Sequence, residues 1–268
     1  MIGLQEYLCD TFITCNIQDA AMLTEQELIH YSRHIILPQI DEAGQEKIKQ
    51  SKVLVVGMGG LGAPVAMYLA AAGVGHLYIA DHDQVERSNL QRQIIHNLNS
   101  IGQNKVDSAQ STLKALNPWI QVTSIKQKLG DQELDDLLSK VDAVIDCCDN
   151  FKTRFAINRA AVKHQKPLVS GAAIRFEGQL AVFNYTDQSP CYQCLYQPDI
   201  QLDENCFDQG VLSPVVGTIG TLQATEALKI ITAAGQVADG RLLIYDALNG
   251  DFRKIKVTKD ANCAICGA

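Results

Sequence analysis

The sequence predicts an α/β protein with a Rossmann-like, doubly wound and mainly parallel sheet, extended by antiparallel strands toward the C-terminus. Three observations carry this. Short apolar runs alternate with helix-favouring stretches from Ser51 to Ser170, a Gly-rich turn joins the first run to the first helix, and after Gly178 the pattern changes to period-two alternation. With 268 residues, 47% of them apolar and 20% charged, the chain is long enough for one such domain.

Lys52–Val56 (KVLVV) reads as a buried strand, and Ala63–Ala72, rich in small residues, as the helix after it. Gly73 and Gly75 stop that helix, and His76–Ala80 is a second strand with Asp81 at its end. Asn104–Leu116 follows as a helix ended by Asn117-Pro118, then Gln121–Ile125 as a strand, Asp131–Ser139 as a helix and Val141–Asp146 as a strand. Thr153–His164 is the next helix and Pro167–Ser170 the next strand. Gln179–Tyr185 alternates as an antiparallel strand does, and the polar, acidic stretch from Gln197 to Gln209 reads as a mobile crossover loop. Gly217–Ala233 returns to helix, and Arg241–Tyr245 and Phe252–Val257 close the chain as strands.

Charge and composition exclude several classes. A net charge of −7 leaves no excess of cations for a phosphate backbone, so nucleic-acid binding is not expected. No apolar run reaches the roughly 18 residues of a bilayer crossing, and residues 1–20 contain acids but no Lys or Arg, unlike a secretory signal. The expectation is a cytoplasmic protein. In a reducing compartment nine cysteines point to metal ligands or redox groups rather than to a disulfide framework.

Four constellations bear chemistry. The loop Gly57-Met58-Gly59-Gly60-Leu61-Gly62 lies between a strand and a helix, where Gly57, Gly59, Gly60 and Gly62 let backbone N–H groups approach a phosphate. Asp81, 19 residues beyond Gly62, is placed to bond ribose hydroxyls. The run from Asp81 through Asp83, Ser88, Asn89, Arg92 and Gln93, followed by Lys105, supplies the cations a triphosphate needs, the alternative being a solvated surface. In Asp142–Asn150 a strand ends in Asp146-Cys147-Cys148-Asp149-Asn150; Asp149 there is a candidate Mg²⁺ ligand, or else a helix cap. The pairs Cys191/Cys194 and Cys263/Cys266 form the complement of a closed tetrahedral Zn²⁺ site. Such a site is structural, and the 68 residues between the pairs make it a tether for the chain's end; redox pairs are the weaker alternative. Cys147 and Cys148 read as buried and inert, Cys206 as an exposed thiol in the polar loop.

Together, YSRHIIL (31–37), GMGGLG, SNLQRQ (88–93), GQNKVDSA (102–109), CCDN (147–150), SGAAIRFEGQ (170–179), CYQC, NC (205–206) and CAIC resemble the ThiF/MoeB/HesA family, bacterial relatives of the ubiquitin-activating enzymes. The resemblance covers Leu23 to Gly267. It implies one adenylation domain over 23–268, with 1–22 an extension expected to be disordered and Met22 an alternative start.

The implied reaction transfers AMP from ATP to the C-terminal Gly-Gly carboxylate of a ubiquitin-like sulfur carrier protein. On the family pattern Arg92 and Lys105 neutralise the phosphates, Asp149 organises Mg²⁺, and Asp81, Asp83, Ser88, Asn89, Gln93 and Asn150 join the glycines in the ATP site. Arg33 supplies a cation in trans, which implies a homodimer, and Cys206 matches a loop cysteine that some members use covalently. Cys148 stands where Thr is commoner. The chain stops just after Cys266, so a separate sulfur donor, a cysteine desulfurase or a rhodanese, is implied. SGAAIRFEGQ leans toward the molybdopterin branch, while YQPD and ENC are similar to the thiamine branch. Two other classes stay open on the residues alone: an NAD-dependent oxidoreductase, from the loop and Asp81, and a non-catalytic zinc scaffold.

Overall fold

A computed structural model describes residues 22–197 and 210–267. The extension 1–22, apart from Met22, lies outside the described residues, as do Cys9, Cys15 and the loop expected beyond Gln197, with Cys206 in it.

Three helices that periodicity did not mark open the described chain: α1 (Glu25–His30), α2 (Ser32–Ile35) and α3 (Asp41–Gln50). Thr24 and Glu27 form a capping box at α1, each side chain taking the other's backbone N–H. Then β1 (Lys52–Val56), α4 (Gly62–Ala72), β2 (His76–Ala80), α5 (Lys105–Leu116) and β3 (Gln121–Ile125) build the first half of a doubly wound sheet. The second half follows as α6 (Asp131–Leu138), β4 (Ala143–Asp146), α7 (Phe151–Lys163) and β5 (Leu168–Ile174). β6 (Glu177–Phe183) turns back, α8 (Tyr192–Leu195) and α9 (Ser213–Thr232) follow, and β7 (Arg241–Asp246) and β8 (Asp251–Lys256) end the sheet.

The order is β3-β2-β1-β4-β5-β6-β7-β8, parallel through β5 and antiparallel beyond. The fold class expected from the sequence is therefore the one found. Four of the five β1 residues are buried, as a central parallel strand covered on both faces requires. One apolar cluster lies between the sheet and α4, α5 and α9, the other between the opposite face and α6, α7 and α8. α4 ends at Gly73, whose φ of 89° is the left-handed conformation of a helix C-cap.

The boundaries shift modestly. β5 runs on to Ile174 because its whole length pairs with β6, and α9 starts at Ser213 with Pro214 in its first turn. Every β8 residue is exposed at the sheet edge. No helix among the described residues is long and apolar enough to cross a membrane.

Candidate active site

The chain leaves β1 toward β2 on one side and returns to β4 on the other, so the C-terminal ends of β1 and β4 flank a topological switch point, where open α/β sheets bind ligands. The glycine loop fills this position. Gly57 has a φ of +96°, and a Cβ there would stand 2.7 Å from the Cys147 carbonyl oxygen. A Cβ on Gly62 would stand 1.8 Å from the Gly57 oxygen, so the turn closes only with glycine. Gly60 packs against Val216 of α9, whereas Gly59 is open: a Cβ there would meet only the Gln93 amide nitrogen, at 3.6 Å.

The polar segment after β2 borders this loop. Asp81 accepts the Met58 N–H at 2.8 Å and the Asp83 N–H at 2.9 Å, tying the loop to the strand end while each oxygen keeps a lone pair. Lys105, nearly buried at the start of α5, donates to Asp83 at 2.8 Å. Burial raises the Asp83 carboxyl, but the Lys105 hydrogen bond and charge outweigh it and hold the group below its usual range. Arg92 donates to the Ser88 carbonyl at 3.1 Å, and Asn89 accepts the Glu86 N–H at 3.1 Å. Gln93 is buried beside Gly59 with its side-chain oxygen unpartnered, an acceptor available to a ligand.

His96, which no sequence pattern marks, braces the loop from below through Ser108 (2.9 Å) and the Met58 carbonyl (3.2 Å). Burial holds it below the ordinary imidazole value, so it acts as a neutral strut.

After β4, Asn150 rather than Asp149 caps α7, accepting the Thr153 N–H at 2.9 Å. The capping alternative for Asp149 is thereby set aside. The Asp149 carboxylate is exposed, touched only by the Asn150 amide at 3.4 Å, and one or two free carboxylates with substrate phosphates are what Mg²⁺ takes. Cys147 and Cys148 are buried and burial pushes both thiols well above their usual value, the inert state expected. Asp81, His82 and Asp83 also bring three ligand atoms within 4.8 Å of one another, but Asp81 and Asp83 are engaged as described.

The four cysteines meet at the other end of the sheet. Their sulfurs lie within 4.8 Å of one another, with Cys191–Cys263 at 3.7 Å and Cys194–Cys266 at 3.4 Å, close to the about 3.8 Å edge of a tetrahedron with 2.3 Å metal–sulfur bonds. Asn158 and the Asp260 N–H donate to Cys191 and Cys194, the outer bonds that orient thiolate ligands. Against burial, the N–H groups of Cys266 and Ile265 bring the Cys263 thiol down to about 7. Cys191 does open a helix, the four-residue α8, but outside any βαβ unit, so the redox alternative gains nothing.

Arg33 sits on α2, exposed and without an ion pair among the described residues. The structure thus groups the glycine loop with Asp81, Asp83, Gln93 and Lys105, leaves Arg33 facing outward, and sets the cysteine cluster apart.

A family model described as the ThiF family matches residues 31–265. The chain belongs to the ThiF family. This ThiF-family chain is 45% identical over 247 residues to the molybdopterin-synthase adenylyltransferase of Escherichia coli (strain K12), covering 92% of this chain and 99% of that one. It is 46% identical over 252 residues to "Adenylyltransferase and sulfurtransferase MOCS3" of Drosophila grimshawi, covering 93% of this chain but 56% of that protein. Among solved structures, E. coli MccB with ATP superposes with a TM-score of 0.79 at 20% identity over 94% of this chain and 79% of that one, a likeness of fold.

Proposed function

We propose that this ThiF-family protein is an ATP-dependent adenylyltransferase that activates the C-terminal Gly-Gly carboxylate of a ubiquitin-like sulfur carrier, on the molybdopterin branch. The observation that carries it is Lys105, buried and ion-paired with Asp83 on the segment whose Asp81 ties down the glycine loop at the switch point of the sheet. The relatives named adenylyltransferases lend the oxidoreductase and scaffold alternatives no support.

In this reading ATP lies over Gly59, its ribose toward Asp81 and its phosphates toward Lys105 and Arg92. Ser88, Asn89, Gln93 and Asn150 line the site. A carboxylate oxygen of the carrier attacks the α-phosphorus, the bond from that phosphorus to the bridging oxygen breaks, and pyrophosphate leaves; an acyl-adenylate results. Both reactants are anions, so positioned cations provide most of the rate. Lys105 turns from Asp83 to the phosphates, and Asp149 holds Mg²⁺, which adds neutralising charge when bound. The cysteine cluster holds Zn²⁺ as a structural tether.

Arg33 acts in trans across a homodimer. Exposed Ile29, Ile36 and Leu37 around it, and Ile94 and Leu98 on the segment beside Arg92, provide apolar surface for a second copy to cover. Free thiols among the described cysteines fit a reducing cytoplasm, with sulfur arriving from a separate donor. ATP–pyrophosphate exchange that appears only when a Gly-Gly-tailed carrier is added is the expected result; no exchange with any sulfur carrier of the same cell would refute the reading.

A further inference from the structure

Arg154 stands in the first turn of α7, where a cation opposes the helix dipole, and it is only 8% exposed. Its guanidinium bridges four acceptors. Nη1 meets Asp146 Oδ2 and the Ser170 hydroxyl oxygen, both at 3.2 Å; Nη2 donates to the Gly171 carbonyl at 2.8 Å and to the Cys148 carbonyl. Asp146 completes the ring, accepting the Cys148 N–H at 3.0 Å and the Ser170 hydroxyl at 2.8 Å. Cys148 is therefore held at both its N–H and its C=O, while the Cys147 N–H donates to Val56 of β1 at 2.9 Å and Asn150 is fixed as the α7 cap. Between these clamped residues stands Asp149, whose own side chain is nearly without contacts.

A buried ion pair is weak evidence for stability, since apolar residues of similar volume often do as well. What a planar, five-donor guanidinium adds is fixed geometry. We infer that Arg154 is a positioning residue for the nucleotide site: through the Cys148 carbonyl it sets the turn that presents Asp149 to the cation accompanying ATP. The inference rests on the adenylyltransferase reading.

The test uses the full-length, zinc-loaded protein and its Arg154→Lys and Ser170→Ala variants. Amide hydrogen exchange is read without nucleotide, and ATP affinity by calorimetry with and without Mg²⁺. Arg154→Lys should speed exchange of the Cys148 amide by about tenfold while β1 amides keep their protection, and reduce the Mg²⁺-dependent gain in ATP affinity by about tenfold, leaving metal-free affinity unchanged. Ser170→Ala should move both readouts the same way by a smaller factor, and carries the test if Arg154→Lys does not fold. Wild-type protection and a wild-type Mg²⁺ gain in a folded variant would overturn this inference alone. A wild-type protein whose ATP affinity ignores Mg²⁺ would remove the role of Asp149, and this inference with it.

Discussion

Lys105 shows how a single side chain is prepared for work at the residue scale. It is buried at the start of α5 and its ammonium pairs with Asp83 at 2.8 Å, so the ion pair is in place before any ligand arrives. Replacing Lys105, Arg92 or Asp149 by Ala should lower the rate constant of carrier-dependent ATP–pyrophosphate exchange by about 10²–10³-fold, the scale seen when one transition-state partner is removed. Asp149→Ala should leave the melting temperature unchanged, because the exposed carboxylate makes a single 3.4 Å contact. A thermal melt beside the exchange assay checks both halves. Arg92, Lys105 and Asp149 were legible in the chain because they stand in recognisable runs. Arg154 and His96 were not, since their partners Asp146, Ser170 and Met58 come from other strands and loops, and no local period marks a residue whose meaning is a tertiary hydrogen bond.

At the scale of elements, α1 depends on a two-residue cap. Glu27 is 3% exposed; burial raises its carboxyl, but the Thr24 N–H and Lys49 outweigh that and hold it below the usual value. A depressed folded-state value means the stabilisation is complete above the unfolded value of about 4.3 and disappears as pH falls through the folded one. Glu27→Gln should therefore lower the melting temperature at pH 7 by about 2–4 °C, for about 1 kcal/mol, and the gap should narrow as pH falls below about 4. Melts from pH 3 to 7 measure it. The loop between β1 and α4 gives the second case: Gly62→Ala places a methyl 1.8 Å from the Gly57 oxygen, so calorimetry should find ATP binding abolished or the protein unfolded. The strands and central helices were readable as elements because their apolar runs are dense. α1 to α3 are short, with polar faces, and take their order from packing such as Asn117 donating to Tyr31 at 2.7 Å.

At the scale of the whole molecule, the cysteine cluster lies at one end of the sheet and the glycine loop at the other. Cys191 and Cys194 follow β6, Cys263 and Cys266 follow β8, and their cluster closes the antiparallel extension. Cys263→Ser should release one zinc per chain, measured by elemental analysis, and lower thermal stability, while exchange per folded molecule persists. Arg33→Ala and Asp149→Ala proteins, each inactive, should recover exchange when mixed and allowed to re-dimerise, because one site of the mixed dimer then has both groups. A mixture that stays inactive would place Arg33 within its own subunit's site.

The amino-acid sequence by itself determined the alternation of strands and helices, the glycine loop and the paired cysteines, since each is a local pattern with a local cause: apolar periodicity, backbone freedom at glycine, thiolate spacing. Tertiary structure alone decided that Asn150 and not Asp149 caps α7, and that Arg154 grips the turn after β4. Those outcomes depend on which strands become neighbours, and a buried hydrogen bond goes to whichever partner the completed sheet brings within reach.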